Sequence, residues 1–140
     1  MVHLEDIESQ IVQHLKANII GLSIEAYPDN PVHYPMRHPK GAILLHYSGS
    51  RFQPSLYEEV IAQIQQIAFD IIIVVRSLRG NGGAYTIMDQ VRETLTGFQI
   101  NNVDKFQPIE EEFITEENGI WQYGMRFSAK TKHIEKDYAF

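Results

Sequence analysis

The residues that most resemble a chemical site lie between positions 68 and 98, where a β-branched run leads through Gly-Asn-Gly-Gly at positions 80–83 into a helical pattern. A strand, a glycine turn and a helix in this order hold phosphate groups in many nucleotide-binding proteins. A Walker loop also needs a lysine after its second glycine, but no lysine lies between Lys40 and Lys105. The dinucleotide fingerprint needs a third glycine where this chain has Tyr85. The pattern therefore predicts a conformational turn with positive-φ glycines and no nucleotide cofactor.

Other residue types that support catalysis or metal binding do not form a recognisable site. His33, His38 and His46 have no helical i, i+4 partner and no acid at zinc-site spacing, so we interpret them as loop or surface histidines. The glutamates at positions 110–112 would alternate between the faces of a strand and fit a solvated hairpin arm. No Gly-x-Ser-x-Gly motif surrounds a serine, and the chain has no cysteine. The sequence thus predicts a protein that is not an enzyme and holds no metal.

Composition limits the class of protein. The chain has the length of one domain, which we expect to span residues 1–140, and its 44% hydrophobic and 21% charged residues are typical of a soluble globular protein. A net charge of -6 disfavours dedicated DNA binding, because such a surface repels phosphates. The N-terminus carries acids where a signal peptide carries bases, and no apolar run reaches the roughly 18 residues that span a membrane. We therefore expect a protein of cytosolic type without a membrane partner.

The first half of the chain predicts one helix followed by three strands. Apolar residues at spacings of three and four form a helical stripe at Leu4, Ile7, Ile11 and Leu15, and this helix should end near Gly21. The strand candidates are residues 22–28, residues 41–52 with an end at 48–50, and the segment from Val60 to Leu78. Within that last segment, Ile67, Phe69, Ile71, Ile73 and Val75 should share one face. Its length is about three times that of an ordinary strand, so part of it should extend beyond the sheet.

The second half predicts one helix and a hairpin. Residues 83–98 have the helical spacing of Ala84, Ile87 or Met88, Val91, Leu95 and Phe98, with Gly97 as the C-terminal cap. Asn118-Gly119 is a strong turn signal, and the alternation from Trp121 to Ala129 predicts a strand after it. The order is α-β-β-β-α-β-β. The predicted class is α+β, with a mainly antiparallel sheet of about five strands and two packed helices.

Several motifs in fixed order carry a resemblance to a known family. They are Gly-Ser-Arg-Phe at 49–52, the arginine and glycine-rich segment at 76–85, Leu-Thr-Gly-Phe at 95–98, and the acidic hairpin at 113–127. Together these motifs resemble the small tail protein of Mu-like contractile-tailed phages, a family similar to the phage tail terminators. The resemblance covers roughly residues 40–130.

This resemblance implies a structural virion protein without chemistry of its own. Such proteins are thought to form a six-membered ring that stops growth of the tail tube and joins the tail to the neck of the head. The implied partners are further copies of the chain as a homohexamer, the tail tube and sheath proteins, and the neck or connector proteins. DNA would pass through the ring without specific binding. The implied location is the virion tail, with assembly in the cytoplasm of the host bacterium.

The site residues that we predict on this basis belong to two groups. The proposed subunit or tail interface consists of Arg51, Phe52, Arg76 and Arg79, and the conformational glycines are Gly49, Gly80, Gly82, Gly83 and Gly119. Two alternatives to the terminator remain open. The first is another neck or baseplate component, and the second is an adaptor of a phage-derived contractile injection particle.

Overall fold

The order of helices and strands confirms the predicted α+β class. The computed structural model describes residues 2–29 and 40–136 of the chain, so His33 and His38 lie outside the described residues. The elements are α1 (Leu4–Asn18), β1 (Ser23–Ala26), β2 (Gly41–Phe52), β3 (Ala62–Val75), α2 (Ala84–Leu95), β4 (Gln107–Glu117) and β5 (Ile120–Ile134).

The five strands form one sheet in the order β1-β2-β3-β5-β4. β1 runs parallel to β2, and all other neighbours are antiparallel, which confirms the mainly antiparallel arrangement. β2, β3 and β5 occupy the interior of the sheet, while the short β1 and the long β4 are its edges. Both helices pack on one face of the sheet, α1 against β1 and β2, and α2 against β3 and β5, whose core residues include Ile71 and Phe127. The opposite face carries no helix from the described part of the chain.

β3 does not extend beyond the sheet, so this prediction was wrong. All of its residues pair with β5, from Ala62 opposite Ile134 to Val75 opposite Trp121. The length of β3 is matched by its two neighbours, because β2 has 12 residues and β5 has 15. The residue pattern indicates correctly that the strand is long, but it does not report that the neighbouring strands are long as well.

β2 continues through the segment at which we expected it to end. Tyr47 pairs with Phe69 and Gly49 pairs with Ala68, so one residue is inserted without breaking the ladder. Gly49 adopts φ 146° in this bulge, a value that L side chains rarely take. The Ser-Gly-Ser sequence therefore marks a bulge inside a strand rather than its end.

The core contains most of the residues that periodicity selects, together with others that it does not select. Alternate β3 residues from Ile67 to Val75 are buried as predicted, as is the α1 stripe except for the exposed Leu4. Ile100, Val103 and Phe106 lie in the loop between α2 and β4, where no helical or strand period occurs, and all three are buried. This loop folds back on the end of α2, where the N–H of Gly97 donates to the carbonyl oxygen of Phe106 at 2.8 Å. Their burial comes from a tertiary contact, which helical or strand periodicity does not report.

Candidate interaction surfaces

The glycine turn before α2 is closed by hydrogen bonds within the chain. Gly80 and Gly82 adopt the expected positive φ, 81° and 78°, but Gly83 has φ −78° and that part of the prediction was wrong. The N–H groups of Ala84 and Tyr85 donate to the carbonyl oxygens of residues 77 and 78 at 3.0 and 3.1 Å. These N–H groups begin the helix, where a phosphate cradle would need free donors. Three donors that a phosphate could bind here, the N–H groups of Gly83, Ala84 and Tyr85, are therefore already used within the chain.

We expect nucleotides to leave the stability of the protein unchanged. A ligand that binds only the folded chain raises its melting temperature, by an amount set by the ratio of ligand concentration to Kd. A site with a Kd of about 10 μM would stabilise the fold by about 2.7 kcal/mol at roughly 1 mM ATP or GTP with Mg²⁺. The expected result in thermal melts is no shift for either nucleotide. A reproducible rise with either one would restore the phosphate-cradle interpretation of residues 80–83.

Arg76 and Arg79 lie beside this turn at one end of the sheet. The guanidinium carbon of Arg79 lies 5.7 Å from the ring centre of Tyr85, within the range of a cation–π contact. Arg76 lines an open depression of about 440 Å³ together with Lys40 and the turn residue Gly82. We call the exposed residues around the turn, Arg76, Arg79 and Tyr85, the turn-end surface.

An aromatic cluster connects the turn-end surface to the β4–β5 hairpin. The rings of Tyr85 and Tyr123 lie 6.3 Å apart, and Phe113 contacts Tyr123 and Trp121 at 5.6 and 6.2 Å, all in edge-to-face geometry. Burial and the neighbouring Tyr85 raise the pKa of Tyr123. Phe113 and Tyr85 remain about half exposed. Exposed aromatic rings beside an arginine are the composition that protein interfaces favour.

Arg51 and Phe52 lie at the opposite end of the sheet from Arg76 and Arg79. Arg51 pairs with Gln66 of β3. Gln66 lies nine positions before Val75, and Val75 is the last residue before Arg76. At about 3.3 Å per residue, the two ends are roughly 30 Å apart. The four residues predicted as one interface therefore occupy two surfaces of the subunit.

A row of charged residues crosses the helix-free face and was not predicted. His46, Asp70, Arg126 and Glu110 occupy consecutive strands in direct register. Arg126 donates to Asp70 at 2.8 and 3.3 Å and lies 3.3 Å from Glu110, while His46 lies 3.9 Å from Asp70. Hydrogen bonding to Asp70 and its charge raise the pKa of Arg126. His46 thus lies within β2, in the strand candidate of residues 41–52, at a partly exposed position on the surface of the sheet.

The edge strand β4 is exposed along almost its whole length, as expected for a solvated hairpin arm. Glu111 turns towards α2 and accepts two hydrogen bonds from Arg92, each 2.8 Å long. Hydrogen bonds from Arg92 to Glu111 and Asp89 raise the pKa of Arg92. The turn at Asn118 and Gly119 has positive φ at both positions, 54° and 79°, as its sequence indicated. Among the glutamates at positions 110–117, Glu112, Glu116 and Glu117 form no salt bridge with the described residues.

Within residues 2–29 and 40–136, no group of three or more histidine or acidic residues is placed to hold a metal ion. No helix in the same ranges combines the length and apolarity needed to cross a bilayer. The turn-end surface and the exposed strand β4 are the candidate surfaces for contact between proteins.

The sequence and the fold of this chain were compared with those of known proteins. A family model described as Gp37 protein matches residues 11–139. The fold is similar to that of a chain in the structure "Virion of native gene transfer agent (GTA) particle", with a TM-score of 0.60 and 11% sequence identity. The similarity covers 95% of this chain and 100% of that chain. No curated protein sequence matches this chain.

Proposed function

This chain belongs to the Gp37 protein family, and we propose that it is a structural component of a phage or phage-derived particle, acting as the terminator of its tail. In this role, six copies form a ring that caps the tail tube and sheath and joins the tail to the neck of the head. The ring acts in the virion tail after assembly in the bacterial cytoplasm.

The observation that carries this proposal is a fold shared over almost the whole chain with a protein of a gene transfer agent virion. The motifs at 49–52, 76–85 and 95–98 add the resemblance to small tail proteins of Mu-like phages. One of these motifs contains Arg51 and Phe52, and another contains Arg76 and Arg79. These two motifs lie at opposite ends of the sheet. A closed ring uses two different surfaces of each subunit, because neighbours meet head to tail.

The exposed apolar side chains support an assembling subunit. Among the described residues, ten large apolar side chains are exposed, and eight of them fall into two groups. One group lies at the connection between β2 and β3 and consists of Phe52, Leu56, Tyr57 and Ile61; the other lies along or beside β4 and consists of Tyr85, Ile109, Phe113 and Ile114. Grouped exposed apolar residues mark contact surfaces more often than isolated ones do.

The charge of the chain is consistent with a ring through which DNA passes. A net charge of -6 disfavours binding to the phosphate backbone. DNA can then move through the opening without being held by it.

Purification followed by native mass spectrometry and electron microscopy of tails tests this proposal. We expect rings of six subunits, and tail tubes capped at a fixed length when the tube protein is present. A chain that stays monomeric and never caps tubes would contradict the proposal. A ring found at the neck side without control of tube length would instead support a neck component. A ring at the opposite end of the tail would support a baseplate component or an adaptor of an injection particle.

Charge reversal on the turn-end surface tests whether this surface takes part in assembly. We expect Arg76→Glu and Arg79→Glu to leave the subunit folded, because both side chains are exposed, and to weaken ring formation or tail capping by about tenfold. Circular dichroism melts check folding, and mass photometry over a dilution series measures assembly. Lys16→Glu on α1 is the matched control. Normal rings and normal tails from both arginine variants would show that this surface is not an interface.

A further inference from the structure

The edge strand β4 has the properties of a surface that binds a partner. It lies at the edge of the sheet, and among the described strands it pairs only with β5. Ile109, Phe113 and Ile114 on this strand are between 43% and 53% exposed. Long exposed edges with apolar side chains tend to associate with other chains. We define the acidic edge as Glu112, Phe113, Ile114, Glu116 and Glu117.

The negative charge of this edge disfavours pairing with the β4 strand of a second copy. If β4 of one subunit paired with β4 of another, the glutamates of the two strands would lie next to one another. Like charges placed opposite each other across strands destabilise the pairing. A surface that presents positive charge therefore complements the acidic edge.

The same chain carries a basic surface at the other end of the sheet. Arg51 pairs with Gln66, which pairs with Lys130, so both cations lie in one row on the helix-free face, and Lys132 lies two residues further along β5. Arg51, Lys130 and Lys132 have no salt bridge to the described residues. Lys132 also lines an apolar depression of about 330 Å³. We call Arg51, Lys130, Lys132 and this depression the basic end.

The depression can receive an apolar side chain that is flanked by acids. Leu56, Tyr57, Ile64 and Ile134 contribute its apolar wall, and Lys132 stands beside them. On the acidic edge, the exposed Phe113 and Ile114 follow Glu112 directly, and Thr115 separates them from Glu116. An exposed apolar side chain between acids at positions 112 and 116 is complementary to an apolar pocket bordered by cations.

The two surfaces cannot meet within one subunit. Glu112 pairs with Gly124 on β5, and Lys132 lies eight positions after Gly124 on the same strand. At about 3.3 Å per residue, this is a separation of roughly 26 Å along the strand. From this separation and the opposite charges we infer that the acidic edge of one copy docks on the basic end of a second copy. Repeated head to tail, this contact builds the ring, so the inference rests on the proposed function and assigns the surfaces that carry it.

Two charge-reversed variants test this contact separately and together. The edge variant is E112K/E117K, and the end variant is K130E/K132E; native mass spectrometry at low ionic strength measures assembly. Each variant alone places like charges in every contact, so we expect at least a tenfold loss of association. In an equimolar mixture, every contact between unlike subunits again joins opposite charges. We expect the mixture to recover assemblies with even numbers of subunits, in which the two variants alternate in a 1:1 ratio.

The controls separate this contact from general effects of charge. E93K on α2 and K16E on α1 reverse exposed charges outside both surfaces and should assemble like the unmodified chain. Melting curves confirm folding of each variant, and R51E replaces the end variant if the lysine pair fails to fold. Association of the unmodified chain should also weaken as salt rises from about 0.05 to 0.5 M, because screening reduces surface attraction.

The possible outcomes distinguish this inference from the proposed function. Rings of the unmodified chain together with a mixture that fails to recover assembly would overturn the contact and leave the terminator role intact. Variants that assemble alone as well as the unmodified chain would do the same. An unmodified chain that stays monomeric and caps no tubes would overturn both. Recovery in alternating 1:1 assemblies is the result that supports the contact.

Discussion

Replacement of Phe127 by alanine is expected to lower the free energy of unfolding by about 3–5 kcal/mol. Phe127 lies on the interior strand β5 opposite Phe69 and is 1% exposed. Its ring lies in the core between the sheet and the helices, so truncation leaves a cavity that the surrounding strands cannot fill. Ile71→Ala on the adjacent strand should lower the free energy of unfolding by about 2–5 kcal/mol for the same reason. Urea or thermal unfolding at fixed protein concentration measures both effects.

The matched control is an isoleucine of the same size at the surface. Ile20 is 89% exposed, so Ile20→Ala should change the free energy of unfolding by about 0.5 kcal/mol or less. A similar stability for Ile71→Ala and Ile20→Ala would mean that the face of β3 assigned to the core is wrong. Because assembly also stabilises a folded subunit, the comparison is made under conditions in which all variants have the same oligomeric state.

Replacement of Gly83 by alanine is expected to destabilise the fold by about 1–3 kcal/mol, although its φ of −78° suits any residue. An added Cβ would lie 2.5 Å from the backbone carbonyl oxygen of Arg79 and 2.8 Å from the Arg79 nitrogen. Both atoms belong to the backbone, so the turn itself would have to move. The start of α2 would move with it, because the N–H of Ile87 donates to the carbonyl oxygen of Gly83. Thermal unfolding measures the loss.

Asparagine substitutions separate this steric cause from a conformational one. At Gly80 and Gly82 an added Cβ would meet no atom within 4 Å, and only the positive φ disfavours a side chain. Asparagine tolerates that conformation better than alanine, so Gly82→Asn should retain more stability than Gly82→Ala, which we expect to lose about 1 kcal/mol. At Gly83 both substitutions should be equally harmful. A Gly83→Ala variant as stable as the unmodified chain would remove the steric explanation.

If the proposed contact is correct, the charge pattern of the subunit has a simple role in assembly. Pairing between two β4 edges would give a symmetric dimer and end growth, but the glutamates of this strand oppose it. The contact with the basic end remains, and it is directional because its two surfaces differ. The acids that keep the edge strand from pairing with itself would then also direct it to the next subunit.

The amino-acid sequence by itself determined the elements and the side chains that form most of the core. Periods of about 3.6 and 2 residues are local properties, so the order of residues alone is enough to assign the stripe of α1, the buried face of β3 and the alternation of β5. The same holds for the hairpin turn at Asn118 and Gly119, because the conformational preferences of two residues set it. The order of these elements indicated the α+β class, and the motifs resembled those of small phage tail proteins.

The tertiary structure decided the features that depend on which strands are neighbours. The charged row from His46 through Asp70 and Arg126 to Glu110 requires four strands in one register, and no local pattern contains that register. The bulge at Gly49 likewise depends on the pairing of β2 with β3. Antiparallel pairing places residues that are distant in sequence side by side and separates others that are closer in sequence. It therefore also sets the separation of Arg51 from Arg76, and that of the acidic edge from the basic end. Side-chain periodicity reports which face a residue occupies, whereas only the assembled sheet determines what lies next to it.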